Sequence, residues 1–214
     1  MTTRERRPFT IRCAKAWLVA LALAATTAAT TAAADPREDL DAAEAAFGRQ
    51  DWATALQLVR PLAEDGNAEA QASLAMLYSR GLGLPQDSVA AIEWYRKSAE
   101  QGNVRAQHNL AVMYITGRGV VPDPAAAMKW MRMAADRGDA VAQFHLARMY
   151  ENGQGAQKSL VEAYRWYSLA ATKFSANDQE RRIRTLQARD HIAKKMTPAD
   201  VAKAEKLARG WKPK

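Results

Sequence analysis

The sequence predicts an all-α fold in which helical hairpins of one recurring design stack side by side into a solenoid. Three observations support this prediction. Residues recur at an offset of 36 positions through the central part of the chain, as repeat architectures require. Apolar residues such as Ala70, Leu74 and Tyr78 lie at helical spacing within each unit. Paired glycines such as Gly81 and Gly83 then divide each unit into two helices.

The offset of 36 positions relates whole columns of identical residues, and so many coincidences at one offset exclude chance. The columns include Ala70, Ala106 and Ala142; Gln71, Gln107 and Gln143; Leu74, Leu110 and Leu146; Tyr78, Tyr114 and Tyr150; Gly83, Gly119 and Gly155; Trp94, Trp130 and Trp166.

The first full unit shows how each unit forms a hairpin. Helix A is predicted from Ala68 to Ser79, and Gly81 and Gly83 can adopt the positive φ of a tight connection. Helix B begins near Asp87, whose carboxylate can accept hydrogen bonds from the free N–H groups of the first turn. The next unit places Asp123 before Pro124 at this point, and the third has Ser159 with Glu162 three residues later, which predicts a capping box.

Small and large residues have different roles in the predicted stack. The alanines at positions 75, 111 and 147 allow helix A to pack closely on helix B, and the repeated tryptophans are expected to fill the wider gaps as core residues. A single hairpin leaves one apolar face open, so several units must stack to bury a continuous core.

The pattern AQ-x-x-LA-x-x-Y-x-x-G-x-G-x-x-x-D-x-x-x-A-x-x-W, followed by A-x-x-G-N, resembles the Sel1-like repeat, a longer relative of the tetratricopeptide repeat. The resemblance implies a right-handed α/α solenoid with a helical C-terminal cap. Full units are predicted at residues 67–102, 103–138 and 139–174, after a shortened leading unit at 35–66 whose connection is compressed to residues 48–50.

Residues 175–214 leave the repeat pattern and predict a helical cap over the open end of the last hairpin. One charged helix is expected from Asp178 to Met196. A second begins with Thr197 as N-cap and Pro198 as its first residue, and it ends at Gly210.

Residues 1–34 have the layout of a secretory signal peptide. Five basic residues precede an apolar run from Ala16 to Ala25, and the small residues Ala32 to Ala34 offer a cleavage site after Ala34. The segment favours ordinary export to a periplasmic or extracellular location, although an uncleaved membrane anchor is the alternative interpretation. Cys13 lies within the segment, and no small-residue lipidation motif precedes it.

Removal of this segment changes the charge balance. The remainder has 26 basic and 22 acidic residues, a net charge of about +4 instead of +8, and the support for nucleic-acid binding is lost. No cysteine remains, so neither a disulfide nor a thiolate metal site is possible.

The chain shows no residue set typical of catalysis, and we expect no enzyme activity, cofactor or metal. His108 and His145 occupy neighbouring positions of successive A helices and are interpreted as two solvated groove residues that could approach each other. A metal site would need further ligands at helical spacing. The basic residues between Arg181 and Lys195 are interrupted by acids, which is typical of a solvated helix face.

Positions that differ between the units are the ones available to a partner. They form the columns Ala72, His108 and Phe144; Ser73, Asn109 and His145; Met76, Val112 and Arg148; Arg80, Thr116 and Asn152. By analogy with tetratricopeptide solenoids, whose A helices line the concave surface, these columns predict a groove for a protein or peptide. The predicted partner-binding residues are Arg80, His108, Asn109, Phe144, His145 and Arg148, with Phe144 and Arg148 as the best anchors.

The resemblance implies a scaffold, adaptor or regulator of the bacterial envelope that binds a protein partner. A cell-wall protein that interacts with peptidoglycan or β-lactams is the alternative from another class, because some members of the family are associated with penicillin binding. A membrane-tethered adaptor is a third interpretation. The fold by itself does not decide among them.

Overall fold

The computed structural model describes residues 35–214. The predicted signal peptide, its cleavage site and Cys13 lie outside the described residues. Within residues 35–214 the secondary structure consists of ten α-helices and one short 3-10 turn, with no strand. The helices are α1 (Pro36–Gly48), α2 (Trp52–Glu64), α3 (Ala68–Arg80), α4 (Ser88–Glu100), α5 (Val104–Thr116), α6 (Pro124–Asp136), α7 (Ala140–Asn152), α8 (Leu160–Lys173), α9 (Gln179–Ala193) and α10 (Pro198–Arg209).

The helices form a series of hairpins in which each helix from α1 to α9 packs against its neighbour along the chain, and α10 packs against α8. The helices α1, α3, α5 and α7 are the A helices, and α2, α4, α6 and α8 are the B helices. Three overlapping groups of buried side chains extend from α1 to α10 and form a continuous core. The predicted all-α solenoid is therefore confirmed.

Side-chain caps fix where the helices begin. Asp87 accepts hydrogen bonds from the N–H groups of Val89 and Ala90 at 2.9 and 3.0 Å, and Asp123 makes the same contacts in the next unit. Thr197 caps α10, as predicted. Each cap satisfies donors that have no partner within their own helix.

The predicted capping box at Ser159 is only half formed. Its hydroxyl accepts a hydrogen bond from the N–H of Glu162, but its own N–H donates to the carbonyl of Tyr150. The carboxylate of Glu162 instead pairs with Arg165 at 3.1 Å. The backbone of the preceding loop thus takes the place of the reciprocal glutamate contact.

The second glycine of each loop lies against the preceding unit. Gly83, Gly119 and Gly155 all have φ between 71 and 75°, in the left-handed region. A Cβ atom at Gly119 would lie 2.5 Å from the carbonyl oxygen of Ser88, and one at Gly155 would overlap the carbonyl oxygen of Pro124. Glycine is needed here both for its backbone conformation and for the close approach between units.

The repeated glutamines form the same contact at each junction between units. Gln71, Gln107 and Gln143 are at most 4 % exposed. Their Nε2 groups donate to the carbonyls of Ala63, Ala99 and Ala135 at 3.0–3.1 Å. Each side-chain amide therefore satisfies a carbonyl in the last turn of a B helix from the following A helix.

The repeated tryptophans are not equally buried, which corrects the expectation that all three are core residues. Trp166 is fully buried, whereas Trp94 and Trp130 are partly exposed. The Nζ of Lys97 lies 4.1 Å from the centroid of the Trp94 ring, and Lys129 approaches Trp130 in the same way. These two rings pack on the core with one side and interact with a lysine at the surface.

The C-terminal cap explains why Trp166 differs. Both α9 and α10 pack against α8, and the ring of Trp211 meets the ring of Trp166 edge-on at 6.4 Å. The helix expected from Asp178 to Met196 is shorter, because residues 176–178 form a 3-10 turn and α9 ends at Ala193. The prediction that this tail packs on the last hairpin is confirmed.

Candidate functional site

The side chains of the A helices form a continuous row on one face of the solenoid. Arg105 of α5 lies 4.0 Å from Glu69 of α3, and His108 of α5 meets His145 of α7. Residues 105 and 108 are one helical turn apart, so these contacts belong to the same face. We call the surface that carries Arg80, Arg105, His108, His145 and Arg148 the A-helix face.

The first unit contributes less to this face than its sequence suggested. Ala72 is 2 % exposed and Ser73 is 9 % exposed, so their side chains are almost fully covered. The prediction that every variable column is free for a partner is therefore wrong at Ala72, whereas Ser73 lines a pocket with the small part of its side chain that is accessible. Variation between the units here reflects local packing as well as surface chemistry.

The imidazole rings of His108 and His145 lie 5.4 Å apart and are tilted by 33°. Both are only partly exposed, so the interpretation as two solvated residues is wrong, although the predicted approach is confirmed. Burial lowers the pKa of both, and it lowers that of His145 to about 4, with His108 and Arg148 adding repulsion. Residues 35–214 contain no cluster of three or more potential metal ligands, so the pair has no third ligand there.

Asn109 faces the interior between two helices. Its amide donates a hydrogen bond to the hydroxyl of Tyr95 at 3.3 Å, which links α5 to α4. Burial raises the pKa of Tyr95 to about 12, so its hydroxyl stays protonated at neutral pH. The side chain of Asn109 is thus already engaged within the fold, and contact with a partner would have to displace this bond.

Phe144 connects the A-helix face to the core. Its ring lies 5.5 Å from the ring of the buried Tyr167 and 5.7 Å from that of His145. The hydroxyl of Tyr167 donates to the carboxylate of Glu151 at 2.8 Å, and burial raises the pKa of this tyrosine. The ring of Phe144 therefore packs on a buried tyrosine whose own position is fixed by a hydrogen bond.

A pocket of about 370 Å³ lies at the C-terminal end of the A-helix face. Three of the predicted partner-binding residues, Phe144, His145 and Arg148, line it together. The opposite wall comes from Phe174 and from α9, and every charged residue in the lining is basic. The pocket is lined by Val141, Phe144, His145, Arg148, Phe174, Arg181, Arg184 and Thr185.

A second pocket, of about 580 Å³, lies at the N-terminal end of the same face and includes Arg80. Apolar side chains of the leading unit, among them Leu40, Phe47 and Trp52, form part of its wall. Its charged residues are of both signs. They are Arg37, Asp41, Glu44, Glu69, Arg80 and Arg105.

The two pockets use equivalent positions of the repeat. Residues 69, 73 and 76 line the first pocket, and residues 141, 145 and 148 line the second. The column of Glu69, Arg105 and Val141 was missed in the sequence, although it too differs between the units. The contributions of α1 and α9 were missed as well, because residues outside the repeat have no equivalents with which to compare them.

Comparison with known families supports this description of the units. The model of the Sel1 repeat matches residues 68–103, 104–139 and 140–173. The chain belongs to the Sel1-like repeat family. Sel1 repeats form a non-enzymatic scaffold that generally mediates protein–protein interactions. Each matched unit spans one A helix and the B helix that follows it.

A solved structure with a TM-score above 0.5 shows a similar fold, and a second match is weaker. A Sel1 repeat protein from Oxalobacter formigenes is 27% identical, with a TM-score of 0.61, over 78% of this chain and 73% of the other. A protective antigen of uropathogenic Escherichia coli strains that displays an SLR fold is 27% identical, with a TM-score of 0.48. That match covers 82% of this chain but only 45% of the antigen chain. None of the curated proteins matches.

In these Sel1 repeats the constant residues build the scaffold and the variable ones line the pockets. The constant Gln143 and Gly155 lie at contacts between units, whereas Phe144 and Arg148 reach the surface of α7. None of the helices within residues 35–214 combines the length and apolar character that crossing a membrane requires.

Proposed function

We propose that the chain is a non-catalytic adaptor of the bacterial envelope that binds a protein partner through its A-helix face. The observation that supports this most is the use of the same repeat positions at both pockets, with different chemistry in each. In a family of interaction modules, core packing must keep the backbone constant while the surface side chains remain free to change with the partner. The units of this chain meet both requirements.

The residues on this face are suited to protein recognition. Arginine and aromatic side chains contribute most of the binding energy in protein interfaces, and Phe144, His145 and Arg148 lie together around one pocket. In the related tetratricopeptide solenoids the A helices line the concave surface, where a peptide or a helix docks. The same face is the proposed binding surface here.

Export is part of the proposal. Residues 1–34 have the charge and hydropathy of a signal peptide, and the absence of cysteine from the rest of the sequence is compatible with any redox environment. Mass spectrometry of the protein from the native cell should find an N-terminus at Asp35. An intact N-terminus that fractionates with membranes would favour the tethered adaptor instead.

Site-specific photo-crosslinking tests the binding face. A photoreactive amino acid at position 148 of the A-helix face should give discrete protein adducts in living cells. The matched control is position 89 of α4, a B helix, where Val89 is 58 % exposed. Equal adducts from both positions, or none from a folded protein at position 148, would contradict the proposal. Adducts with peptidoglycan alone would favour the cell-wall alternative.

A further inference from the structure

The pocket between α7 and α9 has an apolar floor. Val141, Phe144 and Phe174 supply the apolar lining, and Phe144 rests on the buried ring of Tyr167. Thr185 is fully buried, and its hydroxyl donates to the backbone carbonyl of Arg181 at 2.7 Å. Because these residues pack on the buried core, the pocket is already formed in the absence of a partner.

Three arginines surround this floor. Arg148 projects from α7, and Arg181 and Arg184 project from α9. Arg148 has no carboxylate within 4.0 Å among the residues that the structure describes. The basic segment of α9, which the sequence suggested was a solvated helix face, therefore has part of its charge directed at a pocket.

The acidic residues next to the α9 arginines form only weak ion pairs with them, so the pocket keeps its positive charge. Arg181 pairs with Asp178 at 3.6 Å, and Arg184 pairs with Glu180 at 2.5 Å, both within one helical turn. These side chains are largely exposed to solvent. Exposed pairs of this kind contribute little, so carboxylates of a ligand can replace the acids at small cost.

We propose that this pocket binds an acidic peptide segment of a partner protein, which inserts one large apolar side chain between Phe144 and Phe174 and places flanking carboxylates against Arg148, Arg181 and Arg184. The inference deepens the proposed function and rests on it. It adds the chemistry of the partner at one end of the A-helix face.

Size and charge both favour this occupant. A volume of about 370 Å³ is near the lower limit for ligand pockets, so it suits a side chain with its backbone better than a bulky cofactor. Guanidinium groups bind carboxylates in paired, charge-assisted hydrogen bonds that specify geometry as well as sign. The recess lies between two helices, so a flat lipid surface could not reach its floor.

His145 lies between the apolar and the basic parts of the pocket. Burial keeps its pKa below the usual range, so the ring is neutral at pH 7 and offers one donor and one acceptor. A carboxylate placed beside it would favour the protonated form and raise that pKa. A rise in the pKa of His145 is therefore a measurable sign that an acidic ligand has bound beside it.

A matched series of capped, fluorescently labelled heptapeptides tests the proposal on the protein as the cell produces it. The central residue is Phe, Leu or Ala, and the flanking residues are glutamate, glutamine or lysine. Fluorescence anisotropy should show the tightest binding for Phe or Leu with glutamate flanks, weakening as salt is added. Equal or tighter binding of the glutamine or lysine series would overturn the proposal.

Variants locate the site. Arg148→Glu keeps the core intact and should weaken binding of the acidic Phe peptide by at least about tenfold, since it reverses one of three charges. Arg60→Glu, at an exposed position of the B helix α2 outside both pockets, is the matched control and should leave the affinity unchanged. A similar loss in both variants would show that general charge attraction, rather than this pocket, holds the peptide.

Titration of the histidines by NMR gives a readout that does not depend on affinity. The pKa of His145 should rise when the acidic Phe peptide is added. Binding without any change at His145 would place the peptide elsewhere and overturn the assignment.

Other occupants are outcomes of the same experiments. Self-association that Arg148→Glu abolishes would assign the pocket to a second copy of the chain. Binding to vesicles that contain phosphatidylglycerol, if lost in Arg148→Glu, would assign it to a lipid. Either result would overturn the acidic-peptide proposal. Partner adducts at position 148 that persist while the peptides fail would leave the adaptor function standing and reject only the chemistry proposed here.

Discussion

The two ends of the A-helix face present different chemistry on the same helical framework. Near the N-terminus the repeat positions hold Ala72 and Ser73, which are buried, beside a pocket with acids and bases of both signs. Near the C-terminus the equivalent positions hold Phe144 and His145, beside a pocket whose charges are all basic.

The comparison separates what the repeat dictates from what it leaves free. Glycines and glutamines make the same contacts at successive junctions, so the backbone repeats closely. The side chains that line the pockets change from unit to unit without affecting those contacts. One architecture can therefore present a different surface at each end, and stability measurements can test whether the two ends also differ in packing.

The largest expected effect concerns the tryptophan that the cap covers. Trp166→Ala should lower the free energy of unfolding by roughly 3–5 kcal/mol, because it leaves a large cavity beneath Trp211. Trp94→Ala removes a partly exposed ring and should cost less than half as much. Urea denaturation followed by circular dichroism measures both, and equal losses would show that the cap adds nothing to burial at this position.

A second prediction compares glycines at the two ends. Gly155→Ala should destabilise the fold by about 3 kcal/mol, since the new Cβ meets the carbonyl of Pro124 in addition to adopting a positive φ. Gly66 has a φ of 95° but has no neighbour within 4 Å of an added Cβ, so Gly66→Ala should cost only about 1 kcal/mol. Thermal denaturation of the two variants decides whether close approach between units matters beyond backbone conformation.

Acid should destabilise the fold through the buried histidine pair of α5 and α7. His145 has a pKa of about 4 in the fold and near 6.5 when unfolded, so between these values the unfolded chain binds the proton and the folded chain does not. Its contribution is fully present above pH 6.5 and is lost as the pH falls towards 4. We expect a loss of roughly 2 kcal/mol over this range.

The double variant His108→Gln and His145→Gln should lose less stability than the natural protein over the same pH range. Asp139 favours the charged form of both histidines and Arg148 opposes the charged form of His145, so the comparison is made with Asp139 and Arg148 unchanged. Parallel pH profiles for the two proteins would contradict the assignment of the acid sensitivity to this pair.

The smallest expected effect is at the hydroxyl beneath Phe144. Tyr167→Phe removes the hydrogen bond to Glu151 and should cost about 1 kcal/mol, since the rest of the buried ring stays in place. The matched change at the other end, Tyr95→Phe, removes the contact with Asn109 and should have a similar effect. Denaturant midpoints compare them, and a stabilising effect of Tyr167→Phe would show that this bond does not hold the pocket floor.

The fold was well predicted, because identical residues that recur every 36 positions mark the same helix ends, turns and packing contacts in each unit. Asp87 and Asp123 cap helices as expected, and Gly81 and Gly83 have the positive φ that their pattern indicated. The degree of burial was harder to predict. Trp94 and Trp166 are the same residue at the same repeat position, but Trp211 of the cap meets the ring of Trp166, and of the two only Trp166 is fully buried.

The site was predicted only in part, for a similar reason. Phe144, His145 and Arg148 do lie together, since their spacing places them on one side of a single helix. Arg181 and Arg184 complete the pocket from a helix outside the repeat, and no pattern within the repeat indicates which way that helix turns. Arg80 lines the other pocket instead, and Asn109 faces Tyr95 between α5 and α4.

The glutamine contact between units has a consequence for how such a chain can change in length. Each amide bonds a carbonyl eight residues earlier, and each second loop glycine meets a carbonyl 31 residues earlier, so both contacts are encoded within less than one repeat length. A block of 36 residues can then be duplicated or removed, and every remaining junction between units keeps its own contacts. The number of 36-residue blocks would set the distance between the two pockets, which could therefore change only in steps of one whole hairpin.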